Sequence, residues 1–272
     1  MEEYATTHAP AGSGSGMALT DYAHTQNEIW RLYEMAKRNQ WNANTDINWD
    51  EPCPMSDIET KLLRGILATY QIGEKVGIDA PARIMTQLPK EDLAAREFLA
   101  TQCFEEARHC HAYRMRLRKM GLDPDTVRSG NSAWVKAISG CYAYEHPVQS
   151  VMSLNILGEL LAASQFTAHY DALCESGKDP VTRTILQRQL QDEGRHVAFG
   201  ITWLRERLKT HPEDTALARD VAKEWTPIYV DAMTHKADAL KIFGIDKLAS
   251  IEKALGTFQE TLASMGISDP VI

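Results

Sequence analysis

The sequence has no CxxC pair. Its five cysteines (Cys53, Cys103, Cys110, Cys141 and Cys174) are scattered and odd in number. Neither a disulfide framework nor a thiolate zinc site is indicated, and a reducing compartment fits best. Basic residues are outnumbered, with 29 Lys and Arg against 37 Asp and Glu and a net charge of −8. That balance, without a basic cluster, argues against nucleic acid as the main partner. No apolar run reaches the length of a membrane span. The N-terminus lacks the basic-then-apolar order of a secretion signal. We therefore expect a cytoplasmic protein with no membrane association. Strand-like alternation is missing, and so is any repeat of solenoid period. What remains is 272 residues, 44% hydrophobic and 24% charged, enough for one large core or two small ones.

Residues 1–18 are small and polar around Gly12-Ser-Gly-Ser-Gly16. They read as a disordered arm or an appended tag, and residues 19–272 as a single helical domain. Residues 20–39 have helical spacing. The irregular Trp41–Pro54 stretch follows, and Trp30, Trp41 and Trp49 are expected to form a lid over one end of the core. A first core helix is expected from an N-cap at Ser56 to Gly77, with a short separate piece over 80–87. A second runs over about 90–120 and stops at Gly121, with a seam of Leu99, Cys103, Glu106, Cys110, Tyr113, Leu117 and Met120. A shorter helix over 131–145 precedes a third core helix, from Pro147 to about Cys174. Its inward line is Met152, Asn155, Glu159, Phe166 and Tyr170. The fourth runs from about Val181 to Lys209, with Leu186, Leu190, Glu193, Val197, Gly200 and Leu204 inward. Helices over about 213–243 and 246–264 complete the chain.

Each of the four core seams thus carries one glutamate: Glu74, Glu106, Glu159 and Glu193. A buried carboxylate is unfavourable unless it is paired or binds a cation. Two of the four add a histidine three residues on, giving Glu106-Ala-Arg-His109 and Glu193-Gly-Arg-His196. Residues three apart on a helix point the same way and can grip one ion. Twenty Glu and nine His in 272 residues produce about one such pair by chance, so a single copy means little. Two copies inside apolar seams match the rule for two-metal carboxylate sites in helical bundles: one Glu from each of two helices, Glu-x-x-His from each of the other two. The intervals Glu74 to Glu106 and Glu159 to Glu193 each suit a turn and a return to the same level. The longer gap from His109 to Glu159 leaves room for a crossover.

On Glu74, Glu106-Ala-Arg-His109, Glu159 and Asp192-Glu193-Gly-Arg-His196, the chain resembles the ferritin-like di-iron carboxylate superfamily, especially its oxidase and oxygenase branch. The resemblance covers residues 55–210. It implies an all-α, ferritin-like four-helix bundle with additional N- and C-terminal helices. It implies six metal ligands (Glu74, Glu106, His109, Glu159, Glu193 and His196), with Glu106 and either Glu159 or Glu193 bridging. Two iron ions, or iron with manganese, fit a donor set rich in carboxylate with two imidazoles, and O2 would be the co-substrate. Asp192 is expected to accept from His109. Asn155 and Gln189, one turn before Glu159 and Glu193, are expected to orient a ligand or touch substrate. His111, His146 and His169 lie off the pattern and read as structural or surface residues.

The implied activity is oxidation of a small organic substrate: hydroxylation, N-oxygenation, desaturation or C–C cleavage, with an external electron donor. Tyr113, one turn beyond His109, is similarly placed to the radical tyrosine of ribonucleotide reductase small subunits. It opens the alternative of a tyrosyl-radical generator, with Tyr70 a weaker candidate. Against that stands Met265–Ile272, which holds no relay tyrosine. Di-iron N-oxygenases typically add a third histidine one turn before the last Glu-x-x-His, where this chain has Gln189. Ferroxidase and iron storage are a third alternative, disfavoured by about 100 residues outside the bundle. Gly73, Gly158, Ala162, Ala163 and Gly200 are small residues beside the ligand turns and would leave space for substrate. A homodimer is compatible with the exposed terminal helices.

Overall fold

A computed structural model describes residues 16–235 and 240–267, with side chains from His24 onward. The expected arm over 1–18 lies mostly outside these residues; its last three already belong to a helix. The elements are α1 (Gly16–Arg38), α2 (Asp57–Gln87), α3 (Leu93–Lys119), α4 (Ser132–Ser139), α5 (Pro147–Val151), a π-helical stretch (Met152–Gly158), α6 (Glu159–Ser176), α7 (Pro180–Thr210), α8 (Thr215–Thr234) and α9 (Lys247–Ser264). Short 3-10 turns cover Gly140–Tyr142, Pro212–Asp214 and Lys241–Phe243. No strand occurs among the described residues, and no helix there is long and apolar enough to cross a membrane.

The ends of the core helices have local causes. Ser56 caps α2 by accepting from the Glu59 amide, and Glu59 reaches back to the Ser56 amide at 2.8 Å, a capping box. Asp179 caps α7 by accepting from the Thr182 amide at 3.0 Å, with Pro180 in the first turn. Gly121 after α3 and Gly177 after α6 take φ of +79° and +65°, where a side chain would be strained.

Two boundaries differ from expectation. The first core helix does not stop at Gly77. It continues through Pro81 to Gln87, so no separate piece over 80–87 exists. Pro81 removes one helical donor. The turn survives because Ala80 and Ile84 are fully buried and α2 packs along most of α3. Of the helix expected over 213–243, α8 covers Thr215–Thr234 with Pro227 inside it, and Lys241–Phe243 forms a 3-10 turn, while 236–239 lie outside the described residues. The third core helix is likewise not uniform, since Met152–Gly158 is π-wound immediately before Glu159. Such widened turns recur at functional sites. Beyond Phe166 its inward residue is His169, 1% exposed, while Tyr170 is half-buried.

The bundle is two antiparallel pairs, α2 with α3 and α6 with α7, joined where α3 meets α7. Helix α1 covers the outer groove of α3 and α7, while α8 packs on the π-helical stretch, α9 on α6, and α4 on α8 and α2. Helices α2 and α6 scarcely touch. Asp92 ties α1 and α7 to the start of α3 by accepting from Gln26 at 2.8 Å and Trp203 at 2.9 Å. Of the three lid tryptophans, Trp41 is buried and Trp49 donates to the Ala43 carbonyl at 2.8 Å. Trp30 is 51% exposed and bonds Glu97 on the surface, because it faces outward from α1. The apolar core falls into two halves. One is built around Phe98, Phe199 and Trp203, the other around Leu67, Tyr113 and Ile185. Between them lies a fully buried polar layer.

Candidate metal centre

That layer contains the four glutamates and two histidines, one or two from each core helix. Glu74 comes from α2, Glu106 and His109 from α3, Glu159 from the first turn of α6, and Glu193 and His196 from α7. None is more than 7% exposed. The ligand atoms of Glu74, Glu106, His109 and Glu193 lie within 4.8 Å of one another, and so do those of Glu106, Glu159, Glu193 and His196. Glu106 and Glu193 belong to both groups; Glu159 belongs to one. His109 Nδ1 lies 3.2 Å from Glu74, 3.6 Å from Glu106 and 3.6 Å from Glu193. His196 Nδ1 lies 2.8 Å from Glu193, 3.1 Å from Glu106 and 3.7 Å from Glu159.

Four carboxylates cannot share so small a dry space while charged unless cations lie among them. Burial pushes Glu74 and Glu159 well above the usual carboxylate range, and the neighbouring acids add to it. Burial acts on Glu106 too, but the His109 and His196 imidazoles beside it outweigh burial and hold Glu106 low. Burial would likewise lower both imidazoles. The acids around them win, and both are raised. Glu74 Oε2, Glu106 Oε1 and His109 Nδ1 are buried with no hydrogen-bond partner among the described residues. Orphaned atoms of one donor set, facing one another, fit a bound cation.

A ring of polar side chains fixes these groups from outside. His109 Nε2 lies 2.9 Å from Asp192 on α7, and His196 Nε2 lies 3.0 Å from Glu105 on α3. Each imidazole is therefore oriented by the helix that carries the other, leaving Nδ1 toward the glutamates. Arg108 donates to Asp192 at 2.7 Å, and Arg195 to Glu105 and Asp192 at 2.5 Å each. Trp41 stacks on His109 with centroids 6.1 Å apart and donates to Asp192 at 2.9 Å. The Arg108 guanidinium lies 4.7 Å from the Trp41 ring.

Amides complete the ring. Gln189 donates to Glu74 at 2.9 Å and to Glu193 at 2.8 Å, and accepts from the Tyr113 hydroxyl. Gln102 donates to Glu159 at 2.8 Å, and Asn155 donates to Gln102 at 2.9 Å and to the His196 carbonyl at 3.3 Å. Tyr113 is fully buried; burial and then Glu74 push its hydroxyl well above the ordinary phenol range. It therefore touches the glutamates only through Gln189.

A cavity of about 50 Å³ adjoins Glu74, Glu106, Glu159 and Glu193, walled by Tyr70, Trp134 and other apolar side chains. Gly73, Gly158 and Ala162 line it; Gly200 instead lets α7 approach Asn155, whose Cβ a side chain there would meet at 2.6 Å. Of the histidines off the pattern, His169 is buried next to Tyr70, and His111 and His146 are not.

Glu105, Arg108, Arg195 and Gln102 were not singled out from the sequence, and Trp41 and Gly77 were read only as a lid residue and a helix end. A signal for the first three was present. Glu105-Glu106-Ala-Arg-His109 and Asp192-Glu193-Gly-Arg-His196 share an acid, a ligand pair and an arginine at the same offsets. Gly77 carried a misleading one, because it resembles a helix end. In the structure a Cβ there would lie 2.5 Å from Glu106 Oε2.

No curated protein matches the sequence. Among solved structures, a variant R2-like ligand-binding oxidase with anaerobically reconstituted Mn/Fe cofactor is 20% identical. The match has a TM-score of 0.73 and covers 87% of this chain and 92% of that one. A second variant, with aerobically reconstituted Mn/Fe cofactor, is 21% identical with a TM-score of 0.73 over the same shares. At these identities the likeness is one of fold. A family model described as long-chain fatty aldehyde decarbonylase matches residues 66–272, which include all six residues of the central cluster. The chain belongs to that family, whose members are ferritin-like di-metal proteins.

Proposed function

We propose that the protein is an O2-activating di-metal oxidoreductase acting on a small, largely apolar organic substrate. The observation carrying this reading is the buried set of four glutamates and two histidines with orphaned atoms, opening on an apolar cavity. Glu74, Glu106, His109 and Glu193 would hold one ion, and Glu106, Glu159, Glu193 and His196 would hold the other. Two redox-active ions, iron with iron or manganese, supply the electrons that O2 needs and the oxidising power delivered to substrate. An external donor returns those electrons.

The chain's own residues do the rest. Asp192 and Glu105 accept a hydrogen bond from Nε2–H of His109 and His196, so that Nδ1 keeps its lone pair for a cation. Gln189 and Gln102 fix the rotamers of Glu74, Glu193 and Glu159. The apolar wall excludes water from the acids and admits only a slender reacting end. The family's description makes aliphatic aldehydes the first compounds to try.

Purified protein should carry about two iron or manganese ions per chain and consume O2 when given a reductant and a suitable substrate. A stable protein that takes up neither metal overturns the reading. The storage alternative predicts a very large shell on size-exclusion chromatography. The radical alternative draws on one observation, the Tyr113 hydroxyl one amide away from Glu74 and Glu193. It requires a lasting radical signal after O2 addition that Tyr113→Phe abolishes.

A further inference from the structure

The chain has six tryptophans. Five give their indole N–H to an oxygen: Trp30, Trp41, Trp49, Trp203 and Trp225. Trp134 does not. It is 6% exposed, and its Nε1 is buried with no partner among the described residues. An indole N–H can only donate, and leaving one buried and unpaired is unfavourable.

Its neighbour is in a similar position. Tyr229 is 1% exposed, and among the described residues its hydroxyl meets as hydrogen-bond partner only the Cys141 sulfur, a weak acceptor, at 3.9 Å. The Trp134 and Tyr229 rings stand edge to face, with centroids 6.2 Å apart. Asn131 holds their helices together. It caps α4 by accepting from the Trp134 amide at 2.9 Å, and it donates to the Ala232 carbonyl of α8 at 2.8 Å.

Both residues wall the cavity that adjoins the glutamates. Two glycines keep the space before their polar atoms open. A Cβ at Gly73 would lie 3.6 Å from Trp134 Nε1, and one at Gly158 would lie 3.3 Å from the Tyr229 hydroxyl. Each glycine directly precedes a glutamate of the cluster, Glu74 or Glu159. Trp134 also borders a larger hollow of about 490 Å³, but Gly73 does not. The Nε1 edge of the indole thus belongs to the cavity of the glutamates. Two buried donors on one small cavity lack an acceptor there, and native interiors rarely leave such groups unanswered.

We propose that Trp134 and Tyr229 bind the substrate directly, the indole N–H and the phenol O–H together donating to one uncharged oxygen at its reacting end. The inference rests on the di-metal reading above only in calling the bound molecule a substrate. A hydrocarbon end without oxygen leaves both donors unpaired and is selected against. An alkylammonium end, which has only donors, fares no better.

The test compares octan-2-one with 2-methyloct-1-ene, which carries CH2 in place of the carbonyl oxygen and has nearly the same shape. Both are titrated into the full-length protein as purified, without reductant, so that binding is read without turnover. Each donor should contribute about fivefold, so the ketone should bind about 25-fold tighter. Tyr229→Phe or Trp134→Phe should each reduce that preference to about fivefold, and the double variant to about one. Tyr229→Phe removes one oxygen and keeps the ring, so it decides the matter alone if Trp134→Phe does not fold. Infrared spectra of the ketone, labelled with carbon-13 at the carbonyl, give a second reading. The C=O stretch should rise in frequency in each variant, because fewer hydrogen bonds weaken the bond; rings that merely shaped the wall would leave it unmoved. Equal affinity for ketone and alkene overturns the proposal. So does a preference or a frequency that neither substitution changes, because the oxygen would then lie elsewhere, on a metal ion included. A chain that takes up no metal yet shows the preference sinks the oxidase reading alone; an active oxidase without it sinks this one alone.

Discussion

Gly77 shows how narrowly the centre is fitted. A methyl group there would meet Glu106 Oε2 at 2.5 Å, Cδ at 2.8 Å and Cγ at 3.0 Å. Relief requires either the α2–α3 contact or the carboxylate to move. Gly77→Ala should therefore destabilise the fold by about 1–3 kcal/mol, as overpacking does, and also reduce metal content. Thermal melts and metal analysis of one preparation check both, and normal loading in the variant would contradict the placement of Glu106. The outer acids make a paired case. Asp192→Asn and Glu105→Gln preserve shape but weaken the hold on Nε2 of His109 and His196. Each should lower metal affinity about 10- to 100-fold, measured by competition with a chelator of known affinity. Glu105 was not legible beforehand, although it sits beside Glu106. Adjacent residues on a helix point about 100° apart, so Glu105 serves the histidine of a different helix. Only the packing of α3 on α7 reveals that exchange.

Helix spacing alone was enough to place Glu74, Glu106, Glu159 and Glu193 on inward seams, because a 3.6-residue period survives in helices packed on several sides. The same reasoning erred where tertiary contact overrode a local breaker. Pro81 and Gly77 both signal a stop, yet α2 runs through them because its far end is buried against α3. Conversely, α8 ends at Thr234, short of the expected boundary. The π-winding of Met152–Gly158 leaves no mark in composition. At the start of α2 the Ser56–Glu59 box should be worth about 1 kcal/mol, read as the loss of stability in Ser56→Ala on chemical denaturation. The Lys178 ammonium, together with the Ser56 amide and hydroxyl, holds Glu59 down at about 2 from an ordinary 4.5. A depressed carboxylate stabilises the fold above its unfolded pKa and loses that contribution as pH falls through the folded one. The destabilisation caused by Glu59→Gln should therefore be full above pH 4.5 and vanish toward pH 2. A pH series of melting curves tests this, and a penalty unchanged at pH 2 would contradict it.

Across the whole molecule, the acids that suit the centre to metal oppose folding without it. Glu159 is buried, raised by its burial, and surrounded by other carboxylates. Replacing it by leucine should raise the melting temperature of the metal-free protein while abolishing loading of the ion it shares with His196. In the native chain, removal of metal by a chelator should lower the melting temperature. The difference corresponds to about 2.7 kcal/mol when free metal stands at 100 times its dissociation constant. The buried layer has one more effect, on alignment. Ridges of leucine and isoleucine alone would let a helix settle a turn up or down its neighbours at little loss. Here Glu105 answers His196, Asp192 answers His109, and Gln189 spans Glu74 and Glu193. A slip of one turn along α3 or α7 would press those groups into Phe98 or Leu117 and leave their partners stranded. The layer thus works as a ruler laid across the bundle, permitting one vertical setting of its four helices.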